Sequence, residues 1–131
     1  MESGTKIDIR YADHNIIFDI TDSTDNKNYS LCRLNRENLK ELLRKLKDIR
    51  NLTWKQFSAK SRDTGITSER KGTESFNMID AQNSSPNKIV EKYYFHFRIG
   101  AQHSTFRIFG YQYKNAFCIT HFDIKGDIHD H

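Results

Sequence analysis

The chain has 131 residues, enough for one domain around one core, and its mean hydropathy of −0.80 marks a soluble protein. No apolar run approaches the roughly 18 residues of a membrane-spanning helix, and the first ten residues lack a secretory signal's apolar stretch. The expected setting is therefore cytoplasmic, with no membrane partner. The net charge of +4 is uneven, since residues 36–72 hold eleven Lys and Arg against five Asp and Glu. That balance fits a polyanionic partner such as RNA, DNA or an acidic protein, or else a helix carrying bases for solubility.

In chain order, residues 5–11 (TKIDIRY) alternate apolar and polar, and residues 15–20 (NIIFDI) form a second strand-like run. Ala12-Asp13-His14 between them supplies turn chemistry, which predicts a hairpin. A polar loop at Thr21–Lys27 leads to NYSLCRL (28–34), predicted as a third strand with Tyr29, Leu31 or Cys32, and Leu34 inward. Cys32 and Cys118 each sit in an apolar setting and are expected to be buried, reduced thiols.

The clearest helix follows Asn35, a good N-cap, with Leu39, Leu42, Leu43, Leu46 and Ile49 as a stripe predicted to cover a sheet face. Thr53-x-x-Gln56 has the spacing of a capping box and predicts a short second helix over 53–59, pinned by Trp54 and Phe57. From Ser58 to Lys88 the chain turns polar, with a helical turn expected at Phe76–Ala81 and a break at Asn83–Pro86. So long a polar stretch in a small domain reads as a flap or an arm for a partner.

The last 39 residues hold ten of the sixteen aromatic residues and five of the six histidines. Tyr93, Phe95, Phe97 and Ile99 share one strand face, with Tyr94, His96 and Arg98 on the other. In the next strand Phe106 and Ile108 oppose Arg107, Phe109 and Tyr111. Lys114-Asn115 then turns the chain into 116–122, and a short edge strand is expected at 124–128. These patterns predict an α+β single domain, an antiparallel sheet of about five to six strands packed against one main amphipathic helix and a short second helix. Its parts are N-terminal strands at 5–34, helices at 35–59, a polar insert at 60–92 and C-terminal antiparallel strands at 93–131.

Three groups of residues offer chemistry. Arg98, His103, Arg107, Tyr111 and Lys125 lie on adjacent strands or their turns. Metal-independent RNA cleavage needs a base for the 2′-OH, a cation for the phosphorane-like charge and an acid for the leaving oxygen. Histidine suits the first and last, and arginine grips phosphate bidentately. The plainer alternative is that these arginines are the wet face of a sheet. In the second group, His121, Asp123, Asp127, His129, Asp130 and His131 are dense in potential ligands. No zinc spacing joins them, so neither a metal nor a cofactor is expected. Cys118, the third, lies in AFCIT with no activating neighbour in sequence and reads as structural.

A Leu-rich helical segment followed by FHFRIG, STFRIFGY and NAFCITHFD resembles the RelE-like small toxins of toxin–antitoxin systems, over roughly residues 35–131. The resemblance implies helices on an antiparallel sheet, RNA as target, on or off the ribosome, a cognate antitoxin as partner, and basic residues acting without metal. Only Arg98 and Arg107 match the family's sheet arginines in context; His103, Lys125 and His129 are catalytic candidates by position, with His103 or His121 as the base or acid. Lys40, Arg44, Lys47, Arg50, Lys60 and Arg62 are candidates for gripping the RNA backbone. The expected function is thus a toxin-like endoribonuclease or RNA-binding toxin. The alternative is a non-catalytic interaction module, antitoxin or immunity-type, which would bind an acidic partner.

Overall fold

A computed structural model describes residues 6–61, 64–70, 93–100, 104–126 and 128. Expectations for Arg62, His103, Asp127, the stretch 71–92 and the tail 129–131 lie outside the described residues. The elements are β1 (Ile17–Asp19), α1 (Arg36–Ile49), α2 (Trp54–Ser58), β2 (Ile66–Arg70), β3 (Tyr93–Arg98), β4 (Arg107–Tyr113) and β5 (Ala116–Asp123). The fold is α+β, with one main helix, a short second helix and a five-stranded sheet in the order β1-β5-β4-β3-β2. Only the β1–β5 pair is parallel, so the sheet is mixed where an antiparallel one was expected.

Both helices start on reciprocal caps. Asn35 Oδ1 accepts from the Asn38 N–H at 2.8 Å while Asn38 Oδ1 accepts from the Asn35 N–H. Thr53 and Gln56 make the same exchange at α2, as the sequence spacing predicts. Each pair satisfies two of the amide donors that a helix start leaves without an intrahelical acceptor.

The N-terminal hairpin does not form. The Lys6 and Asp8 amides donate to Ser68 Oγ and Gln112 Oε1, so this segment spans the sheet between β2 and β4 and pairs with neither. Asp8 then caps a 3-10 turn at Ile9–Tyr11, ending the alternation that suggested a strand. Residues 28–34 are likewise no strand but a turn and a 3-10 helix at Leu31–Arg33. Tyr29 and Leu34 are buried as expected, yet Cys32 is exposed and only Cys118 is buried. The expected polar insert contributes an edge strand, β2. No strand forms over the described residues of 124–128, because both Asp123 carboxylate oxygens accept amides there, from Gly126 and Ile128 at 3.0 Å each.

One sheet face carries the main core: Phe95, Phe97, Ile99, Phe106, Ile108, Phe117, Ile119 and Phe122, packed with Leu42, Ile49, Trp54 and Phe57. The opposite face was expected to be at least partly wet. Instead Tyr94, Phe109, Tyr111 and Cys118 form a second core, closed by Tyr29 and Ile128. A β-bulge makes both cores possible. The β4–β5 pairing passes from Phe109↔His121 to Gly110↔Ile119, leaving Thr120 as the extra residue. The strand's alternation reverses there, so Phe117, Ile119 and Phe122 face the helices while Cys118 and His121 face away.

Gly110 sits at this irregularity. A Cβ there would drive into the Cys118 carbonyl and come within 2.6 Å of the Phe117 ring. Gly110→Ala is therefore expected to cost about 1–3 kcal/mol by urea unfolding, because backbone on β5 must shift. An unchanged midpoint would show that the two strands tolerate the separation.

Candidate functional site

Strand register brings three of the predicted site residues onto the face away from the helices. Arg98 and Arg107 are direct partners across β3 and β4, and Arg107 is in turn opposite Asp123 on β5. The row Arg98–Arg107–Asp123 thus sets two guanidinium groups against one carboxylate. Like charges directly opposite on a sheet repel. Consistent with this, burial and then the neighbouring Arg98 lower the Arg107 pKa, with Asp123 acting in opposition. The guanidinium nonetheless stays charged at any ordinary pH.

The turn after β5 completes the row. Arg107 Nη1 donates to the Thr105 carbonyl at 3.4 Å and lies against Gly126, whose φ of +71° lets the backbone pass close by. A Cβ on Gly126 would come within 2.8 Å of that nitrogen. Lys125, the residue before it, is exposed on the same turn. Asp123, read in sequence only as a possible metal ligand, instead holds this turn in place beside Arg107.

His121 occupies the same face, next to Asp123 along the alternation, but it is 0% exposed. Thr120 Oγ1 donates to the Phe109 carbonyl, so it is left to accept from His121 Nδ1–H at 2.7 Å. That fixes the neutral tautomer. Nε2 meets no hydrogen-bond partner among the described residues, and the edge of Tyr29 closes over the ring. Burial pushes the His121 pKa down to about 3. A ring so enclosed is part of the second core and not a group that can touch a substrate.

The remaining polar groups of this face are engaged structurally. His96 Nε2 and Glu69 Oε2 are 3.0 Å apart, with the imidazole also packed on Phe109. Tyr111 donates to Asp22, tying the loop after β1 to β4, and its pKa is raised, first by burial and then by this hydrogen bond. Among the described residues, no three His, Cys, Asp or Glu side chains are placed to hold a metal ion.

The expected backbone-gripping residues are elsewhere. Lys40, Arg44, Lys47 and Arg50 are exposed on α1, which packs on the other side of the sheet, and Lys60 is exposed just beyond α2. The sheet therefore separates the α1 bases from the Arg98–Arg107 pair. Lys45 points inward enough to donate to the Thr64 carbonyl at 3.1 Å, and burial lowers its pKa.

Compared with known proteins, the chain matches no family model, no curated protein sequence and no solved structure. No helix among the described residues is long and apolar enough to cross a membrane.

Proposed function

We propose that this protein is an RNA-directed, toxin-like protein of the RelE kind, acting in the cytoplasm, in which Arg98 and Arg107 hold a backbone phosphate. The observation that carries the reading is the register pairing of two arginines against one carboxylate. Such a row gathers two guanidinium groups at one end of the sheet, and guanidinium groups match phosphate oxygens two at a time. Lys125 on the adjoining turn adds a further cation. In this reading Arg98 and Arg107 stabilise charge at phosphate, His121 supports the strand beneath them, and His103 and Lys125 remain the candidates for proton transfer.

Arg107→Ala should abolish growth arrest on expression and any RNA cleavage. It should also weaken RNA binding and reduce the slope of log affinity against log salt by about one. Circular dichroism should show the fold retained, since Asp123 keeps its two amide donors from Gly126 and Ile128 and the repulsion between Arg98 and Arg107 is removed. Full toxicity in a folded Arg107→Ala protein would sink the assignment.

A second reading, a non-catalytic interaction module of antitoxin or immunity type, is favoured by one observation, the exposure of Leu39 and Leu43 on α1. It expects no nuclease activity on any RNA and a partner whose binding survives Arg107→Ala.

A further inference from the structure

The leucine stripe of α1 is only half used by the fold. Leu42 and Ile49 are buried and Leu46 packs against the core, but Leu39 is 44% and Leu43 is 54% exposed. At 3.6 residues per turn, Leu39 and Leu43 share an arc of roughly 100° with Arg36, Lys40, Lys47 and Arg50. All four of those bases are exposed. The helix's acids, Glu37, Glu41 and Asp48, fall together on the flank beyond Arg44. One of them, Glu37, reaches Lys40, at 3.9 Å. An exposed pair of that length is worth little and leaves Lys40 available to a partner. The outward arc is thus apolar and basic with no acid within it.

We propose that this face of α1 is a docking surface for an acidic amphipathic helix of a partner protein. Leu39, Leu43, Lys47 and Arg50 follow the i, i+4, i+8, i+11 spacing by which one helix packs along another, with the half-buried Leu46 at the edge of that row. The adjacent bases call for carboxylates on the partner's flanks. Charge argues against the other occupants. A second copy packed antiparallel about Leu43 would set Arg36 against Arg50 and Leu39 against Lys47, so bases would meet bases and leucines would meet lysines. A nucleic-acid backbone would use the bases but leave both leucines in water. The surface lies across the sheet from Arg98 and Arg107, so it holds whether or not those residues bind RNA.

The test uses the full chain and a fluorescein-labelled synthetic peptide of three heptads, with Leu at the seam positions and Glu on both flanks. Its controls are the same peptide with seam Leu replaced by Ser, an oligouridylate, and vesicles one-quarter phosphatidylglycerol in phosphatidylcholine. The acidic peptide should bind saturably. Leu39→Ser/Leu43→Ser and Lys40→Glu/Lys47→Glu should each weaken it about tenfold or more, with helicity kept because all four side chains are exposed. Arg107→Ala should bind the peptide as the unsubstituted chain does, so this surface and the RNA reading are tested apart. The proposal is overturned if the peptide does not bind, if the Ser-seam peptide binds as well, or if the leucines matter only for vesicles or oligouridylate.

Discussion

Trp54→Ala is expected to cost about 3–5 kcal/mol, a large share of the stability of a domain this size. Trp54 is 0% exposed and stacks on Phe117, with centroids 6.2 Å apart and planes 13° from parallel. Its indole Nε1 donates to the Asn115 carbonyl at 2.8 Å, in the turn joining β4 to β5. That same carbonyl accepts the Ile17 amide at the start of β1, and the Trp54 amide donates to the His14 carbonyl. One residue, through its backbone and its side chain, therefore joins α2, the segment leading into β1 and the central hairpin. Trp54→Phe retains most of the apolar contact but leaves the half-buried carbonyl one donor short, so it should lose only about 1–3 kcal/mol. Urea unfolding measures both, and equal losses would show that the hydrogen bond, not the packing, holds this junction.

Acid should destabilise the protein through His121. Its pKa in the folded chain, about 3, lies below the ordinary 6.5. Between those values the unfolded chain binds a proton that the folded chain refuses, so stability is complete above about pH 6.5 and falls as pH drops toward 3. At pH 4.5 the loss is on the order of 3 kcal/mol. Asp8, held below the usual carboxylate range chiefly by its side-chain hydrogen bond to Arg10, loses its stabilisation only at lower pH. Its partner Arg10 is well exposed, so the pair contributes little. His121→Leu should therefore flatten the fall in unfolding free energy between pH 6.5 and 4.5, and also remove the buried Nε2. An undiminished fall in that variant would take His121 out of the explanation.

Much of the scaffold was legible because its signals are local. The capping residues Asn35 and Thr53, the leucine period of α1 and the strict alternation of Tyr93–Ile99 each act within a few residues. All of them appear in the fold. Elements whose state depends on distant partners were not legible. Asp8 N–H finds Gln112, over a hundred residues away, and a segment with strand-like alternation becomes a crossing and a 3-10 turn. Ile66–Arg70 looks like loop in isolation and is a strand because Tyr93–Phe97 offers it an edge.

The site divides in the same way. Arginine flanked by aromatic and β-branched residues identified Arg98 and Arg107, but only pairing register put them opposite each other and set Asp123 beside them. His121, expected as a base or acid, is instead enclosed, because the bulge at Thr120 sets it on the second face and Tyr29, from a loop more than ninety residues away in sequence, seals it in. By itself, then, the sequence determined the α+β class, the helix starts, the aromatic core and the two arginines, since propensity and periodicity act along the chain. Tertiary structure alone decided the parallel β1, the closing of the second face, the burial of His121 and the separation of the α1 bases from the arginine pair. Each of those rests on contacts between segments far apart in sequence.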